Sequence, residues 1–119
     1  MRALLLAVVV LGTGCVTDTL SEDTAYRRLV DNYESEAQCL SSGLGACYQT
    51  LTLCTNGLVR LDLVSRPEDG EYKLADSSVA VAQFVDRHVE FDLETKTSAQ
   101  LPGRHAWSQV EVIAYDCQP

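Results

Sequence analysis

Apolar and polar residues alternate through most of this chain, and one early stretch departs from that pattern. Tyr26, Leu29, Val30, Tyr33, Ala37 and Leu40 recur every three or four residues, the spacing of one face of an α-helix. Thr19-Leu20-Ser21-Glu22 ahead of them fits a capping box, and Ser41-Ser42-Gly43-Leu44-Gly45 behind them fits a glycine stop. Arg27 and Asp31 stand four apart and could pair weakly on that helix.

From Cys47 onward the period is two. Leu51 and Leu53 alternate with Thr50 and Thr52, and Val59, Leu61 and Leu63 alternate with Arg60 and Asp62. A two-residue Asn56-Gly57 turn would set Leu53 against Arg60. A three-residue loop, Thr55-Asn56-Gly57, sets Leu53 opposite Val59 and Leu51 opposite Leu61, with Gly57 at the left-handed bulge position. The three-residue loop is therefore expected. Arg66 to Gly70 reads as a turn, and Tyr72 and Leu74 as a short strand. Val79 to Val85 reads as a central strand buried on both faces. His88 to Glu94 alternates again, Pro102-Gly103 marks a turn, and Trp107 to Tyr115 reads as a last strand. The expected fold is mainly β: an N-terminal α-helix, then about six antiparallel strands in a small barrel or sandwich. There is no internal repeat and no second domain.

The first fifteen residues carry a different signal. Arg2 precedes an apolar run, Ala3 to Leu11, then Gly12, Thr13, Gly14 and Cys15. That order resembles the signal of bacterial lipoproteins. The resemblance implies removal of residues 1–14, acylation of Cys15 on its sulfur, a short tether over 15–19 and a single domain over 20–119. Val16 stands where lipoproteins retained in the inner membrane often carry Asp, so the resemblance favours the outer membrane. Gly12 and Gly14 also satisfy the small-x-small rule of ordinary secretory cleavage, which makes a secreted protein the alternative. The run is too short to span a bilayer, which takes about 20 apolar residues.

Charge narrows the partners. The whole chain holds 9 Lys+Arg against 17 Asp+Glu, and Arg2 belongs to the leader. So acidic a domain is ill suited to nucleic acid or to an anionic lipid surface. Membrane association would run through lipid on Cys15. The remaining cysteines, Cys39, Cys47, Cys54 and Cys117, are even in number and read as two disulfides of an exported protein. Their spacings match no zinc pattern. Cys47 and Cys54 bracket a strand and would lie roughly 23 Å apart at the strand rise of about 3.3 Å per residue, too far to pair. Cys39–Cys47 with Cys54–Cys117 is favoured over Cys39–Cys54 with Cys47–Cys117, because a short glycine-rich connection separates Cys39 from Cys47.

No residue set announces catalysis. His88 and His105 are the only histidines, and no nucleophile motif accompanies them. Glu90, Asp92 and Glu94 form a candidate interaction face. Carboxylates at alternate strand positions stand too far apart to gather calcium unaided. Tyr48, Tyr72, Phe84, Phe91, Trp107 and Tyr115 would fill a small barrel rather than line an open one. The reading is a small envelope lipoprotein without cofactor, a non-enzymatic module that binds another envelope protein or a small ligand. A hydrolase using His88 or His105 and a purely structural envelope component are the alternatives.

Overall fold

Register decides which side chains of this chain meet. The computed structural model describes residues 18–43, 45–64 and 66–118. Cys15 and the leader lie outside the described residues. Seven strands run through the rest: β1 Thr24–Leu29, β2 Tyr48–Leu53, β3 Leu58–Asp62, β4 Pro67–Asp76, β5 Val79–Gln83, β6 His88–Asp92 and β7 Ser108–Val110. One helix, α1 Glu36–Ser42, lies between β1 and β2, and a short 3-10 helix covers Ala114–Cys117. All neighbouring strands are antiparallel, in the order β6-β5-β4-β3-β2-β1-β7. The sheet curls into an open half-barrel. Tyr26 on β1 meets Phe91 on β6 across four intervening strands of the sheet order, with ring centroids 4.8 Å apart.

The β2–β3 hairpin has the expected register. Leu53 pairs with Val59 and Leu51 with Leu61. Cys54 N–H donates to Leu58 O at 2.9 Å, and Gly57 takes φ +89°, the left-handed bulge conformation that favours glycine. All four of these apolar side chains are buried, and Tyr72, Ala80, Ala82, Val89 and Phe91 join them from β4 to β6. Large Tyr72 pairs with small Ala82, so the inner layer interdigitates. The interior is filled by side chains.

The expected long N-terminal helix is not formed. Thr24–Leu29 is a strand with six register pairs to β2, and only Glu36–Ser42 is helical. The period-two signal was hidden because Arg28, which counts as polar, points inward beside Tyr26 and is 6 % exposed. With Arg28 counted among the inward residues, Tyr26 and Arg28 alternate with Arg27 and Leu29. The true cap is Ser35, whose side chain accepts from Gln38 N–H, while Gln38 Oε1 accepts from Glu34 N–H. Thr19 instead donates to Thr55 O. The stop at Gly43 is as expected, with φ +68°.

Three strand boundaries also differ. Arg66–Gly70 is not a turn, because β4 begins at Pro67 and pairs with β3 from there. β5 is buried on its inner face only; Val81 is half-buried and Val85, beyond the strand, is 94 % exposed. The last strand stops at Val110, because β7 has only β1 to pair with, through three register positions. The chain beyond it returns to β2 and β3 as the 3-10 helix.

Both disulfides have the favoured pairing. Cys39–Cys47 closes the α1 connection with Cα atoms 5.8 Å apart, and Cys54–Cys117 ties the C-terminal segment to the end of β2 at 5.5 Å.

Gly70 occupies a place with no room for a side chain. A Cβ there would meet the Gln83 carbonyl oxygen and lie 2.9 Å from the Phe84 ring. The carbonyl is backbone and cannot turn aside. Gly70→Ala is expected to cost about 2 kcal/mol by overpacking, lowering Tm by about 10 °C in a domain of this size. A thermal melt checks it, and an unchanged Tm would mean that β4 and β5 separate here at no cost.

Candidate functional site

The half-barrel is open between β6 and β7, and the connector from Leu93 to Trp107 closes the gap. Its path follows from local hydrogen bonding. The Asp92 carboxylate accepts from the amides of Glu94 and Thr95 at 2.9 and 3.0 Å, and Asp92 N–H donates to Thr97 O at 2.8 Å. Lys96 takes φ +59° in this tight turn. Gln100 Oε1 then accepts from Glu90 N–H at 2.8 Å, so a side chain occupies an edge donor that a neighbouring strand would otherwise take. Leu101 and Trp107 enter the core, Trp107 standing edge-on to Phe91 at 5.9 Å. Arg104 N–H donates to Asp31, and a His105 ring nitrogen lies 2.7 Å from Tyr33 O.

Arg28 fastens this connector from below. Its Nε donates to Gln49 Oε1 at 2.8 Å, Nη1 to Leu101 O at 2.9 Å and Nη2 to Pro102 O at 3.1 Å. Its guanidinium lies 4.5 Å from the centre of the Trp107 ring, a cation–π contact. Gly103 packs against the guanidinium so closely that a Cβ there would come within 2.6 Å of Nη1. Burial lowers the Arg28 pKa from its ordinary value, and the charge of Asp31 partly restores it. Among the described residues, Arg28 has no carboxylate within ion-pair distance.

A cleft of about 300 Å³ lies over this arrangement, lined by Arg28, the connector and Trp107. Arg28, Lys96 and Arg104 border it, and none of its lining residues is acidic. In a chain with 17 acidic and 9 basic residues, that is a local reversal of charge. The indole N–H of Trp107 is buried and has no hydrogen-bond partner among the described residues. The sequence could not announce this site, because its central cation reads as one more polar residue of an apparent helix.

The residues singled out from sequence are dispersed. Glu90 is exposed on β6, with its carboxylate 3.6 Å from His88 Nε2. Asp92 is committed to its turn, and Glu94 lies beyond the end of β6. His88 is exposed and His105 half-buried, 17 residues apart in sequence, and neither hydrogen-bonds a hydroxyl or thiol among the described residues. Asp23 lies near Cys54 and Cys117, but both sulfurs are in the disulfide, which leaves no thiolate for a metal.

Two turn carboxylates set an acid dependence. Asp76 accepts from Ser78 N–H and Oγ, and Asp92 from Thr95 and Glu94 N–H; these bonds hold both pKa values below the ordinary carboxylate value. A depressed folded pKa gives stability that is full above the unfolded pKa of about 4 and is lost as pH falls through the folded value. An Asp76→Asn/Asp92→Asn variant is expected to have a lower urea midpoint than the native chain at pH 7, the difference closing below about pH 4. A difference that persists at acid pH would place the effect in something other than these charges.

No known protein family, no curated protein and no solved structure matches this chain.

Proposed function

We propose that this protein is an exported, lipid-anchored binding module of the cell envelope, held at the membrane through acylated Cys15. The observation that carries the reading is the cysteine pairing. Cys39–Cys47 and Cys54–Cys117 use four of the five cysteines, disulfides belong to oxidising compartments, and Cys15 is the one without a partner in either bond. Among the described residues no helix is long and apolar enough to cross a membrane.

An anchor at Cys15 would orient the domain. Asp18 O accepts from Leu74 N–H, and Leu20 N–H donates to Tyr72 Oη, so the start of the domain is pinned beside the β2–β3 and β4–β5 turns. Only Val16 and Thr17 lie between Cys15 and Asp18, and the three Cα steps reach about 10 Å at most. That end would face the bilayer. The opposite end, with α1 and the β3–β4 and β5–β6 turns, would face away, displaying Val85 and Leu40 to a partner.

Intact mass of the protein from the membrane fraction, before and after reduction and alkylation, tests this. The expected result is a chain starting at Cys15 with added acyl mass, and four thiols that appear only on reduction. A soluble species with an unmodified Cys15 would overturn the anchor and leave the secreted form.

A further inference from the structure

We propose that the cleft between Arg28, Trp107 and the β6–β7 connector binds a small free anion carrying a phosphate or carboxylate group. The proposal deepens the binding-module reading and rests on it. Two independent features of the cleft, the spare donors of Arg28 and the charge of its rim, point to the same ligand chemistry. A guanidinium carries five N–H donors, and Arg28 spends three of them on Gln49, Leu101 and Pro102, leaving one on each Nη. Trp107 lines the cleft as well, 5 % exposed, and its indole N–H is buried with no acceptor among the described residues. Lys96 and Arg104 add positive charge at the rim, and no carboxylate lines the cleft to neutralise them. Asp31, the acid whose charge acts on Arg28, already accepts from Arg104 N–H and is not among the lining residues. The two guanidinium hydrogens left without a partner are charge-assisted donors that an oxyanion would accept from. The planar fork of arginine suits both phosphate and carboxylate, so the two share one recognition chemistry. The volume of about 300 Å³ matches a small molecule and not a polymer.

Trp107 is the only tryptophan, so its fluorescence and its single indole N–H resonance report on this cleft alone. The native protein, in a non-ionic detergent, is titrated with inorganic phosphate and separately with acetate, at ionic strength held constant with chloride. The expected result is a saturable shift of the Trp107 signals with at least one of the two, and the tighter one names the group. In Lys96→Asn/Arg104→Gln, whose substitutions lie outside the core, the affinity is expected to fall about tenfold. No saturable shift with either anion, or unchanged affinity in that variant, would overturn the assignment. Neither outcome bears on the acyl mass at Cys15, so failure here is distinguishable from failure of the anchor.

Discussion

Arg28→Met is expected to destabilise the domain by about 3 kcal/mol, the largest effect of any single substitution considered. Methionine has nearly the length of arginine and suits an apolar layer, but it donates nothing. The carbonyls of Leu101 and Pro102, which now accept from Nη1 and Nη2, would lose those donors beneath the connector. Leu101 O is buried, and leaving such an acceptor unpaired costs about 1–3 kcal/mol; the part-buried Pro102 O adds less, and relief from burying a charge offsets part of the sum. Arg28→Lys is expected to recover little. A single ammonium cannot reach Gln49, Leu101 and Pro102 together in one plane, nor lie flat against Trp107 as the guanidinium does. Urea unfolding followed by Trp107 fluorescence measures both variants. A midpoint like that of the native chain in Arg28→Met would show that Leu101 and Trp107 hold the connector by packing alone. Under the proposed anion binding, Arg28 would serve stability and binding together, with different hydrogens of one group.

How far the sequence was legible depends on whether each side chain's polarity matched its burial. In the β2–β3 hairpin it did: Leu51, Leu53, Val59 and Leu61 are apolar and buried, and only one loop length brings them together. That strand excluded one of three disulfide pairings, since an extended segment holds Cys47 and Cys54 apart, and the short glycine-rich connection between Cys39 and Cys47 favoured the one that is formed. In β1 the match failed. Tyr26 and Arg28 both face inward, but the charge of Arg28 broke the visible alternation, leaving Tyr26, Leu29, Val30 and Tyr33 to imitate a helical face. The cleft was hidden for the same reason, and for a second one. Its parts come from β1 and from a connector more than sixty residues later, and only the curl of the sheet makes them neighbours. The carboxylates at 90, 92 and 94 were legible as types, but the Asx turn at Asp92 that ends their strand was not.

Removing the Cys54–Cys117 bond is expected to cost more than any single side chain. The bond joins residues 63 apart, and closing a loop of that size restrains the unfolded chain by about 4 kcal/mol, against about 2.5 kcal/mol for a loop of eight. Against a total of roughly 5–15 kcal/mol for a small domain, that is a decisive share. The native state also loses something specific. Cys117 O accepts from Asn56 Nδ2, and Asp116 lies 3.6 Å from Arg60, which is held by Asp69 at 2.9 Å. These are half-exposed contacts worth little alone. Without the covalent link the 3-10 helix is held less firmly, and the end of β2, where Cys54 is fully buried, opens to water. A Cys54→Ala/Cys117→Ala variant is therefore expected to unfold at far lower urea than a Cys39→Ala/Cys47→Ala variant, whose bond spans only eight residues. Equal losses would mean that the C-terminal segment docks by its own contacts, and that loop size does not govern the stability of this half-barrel.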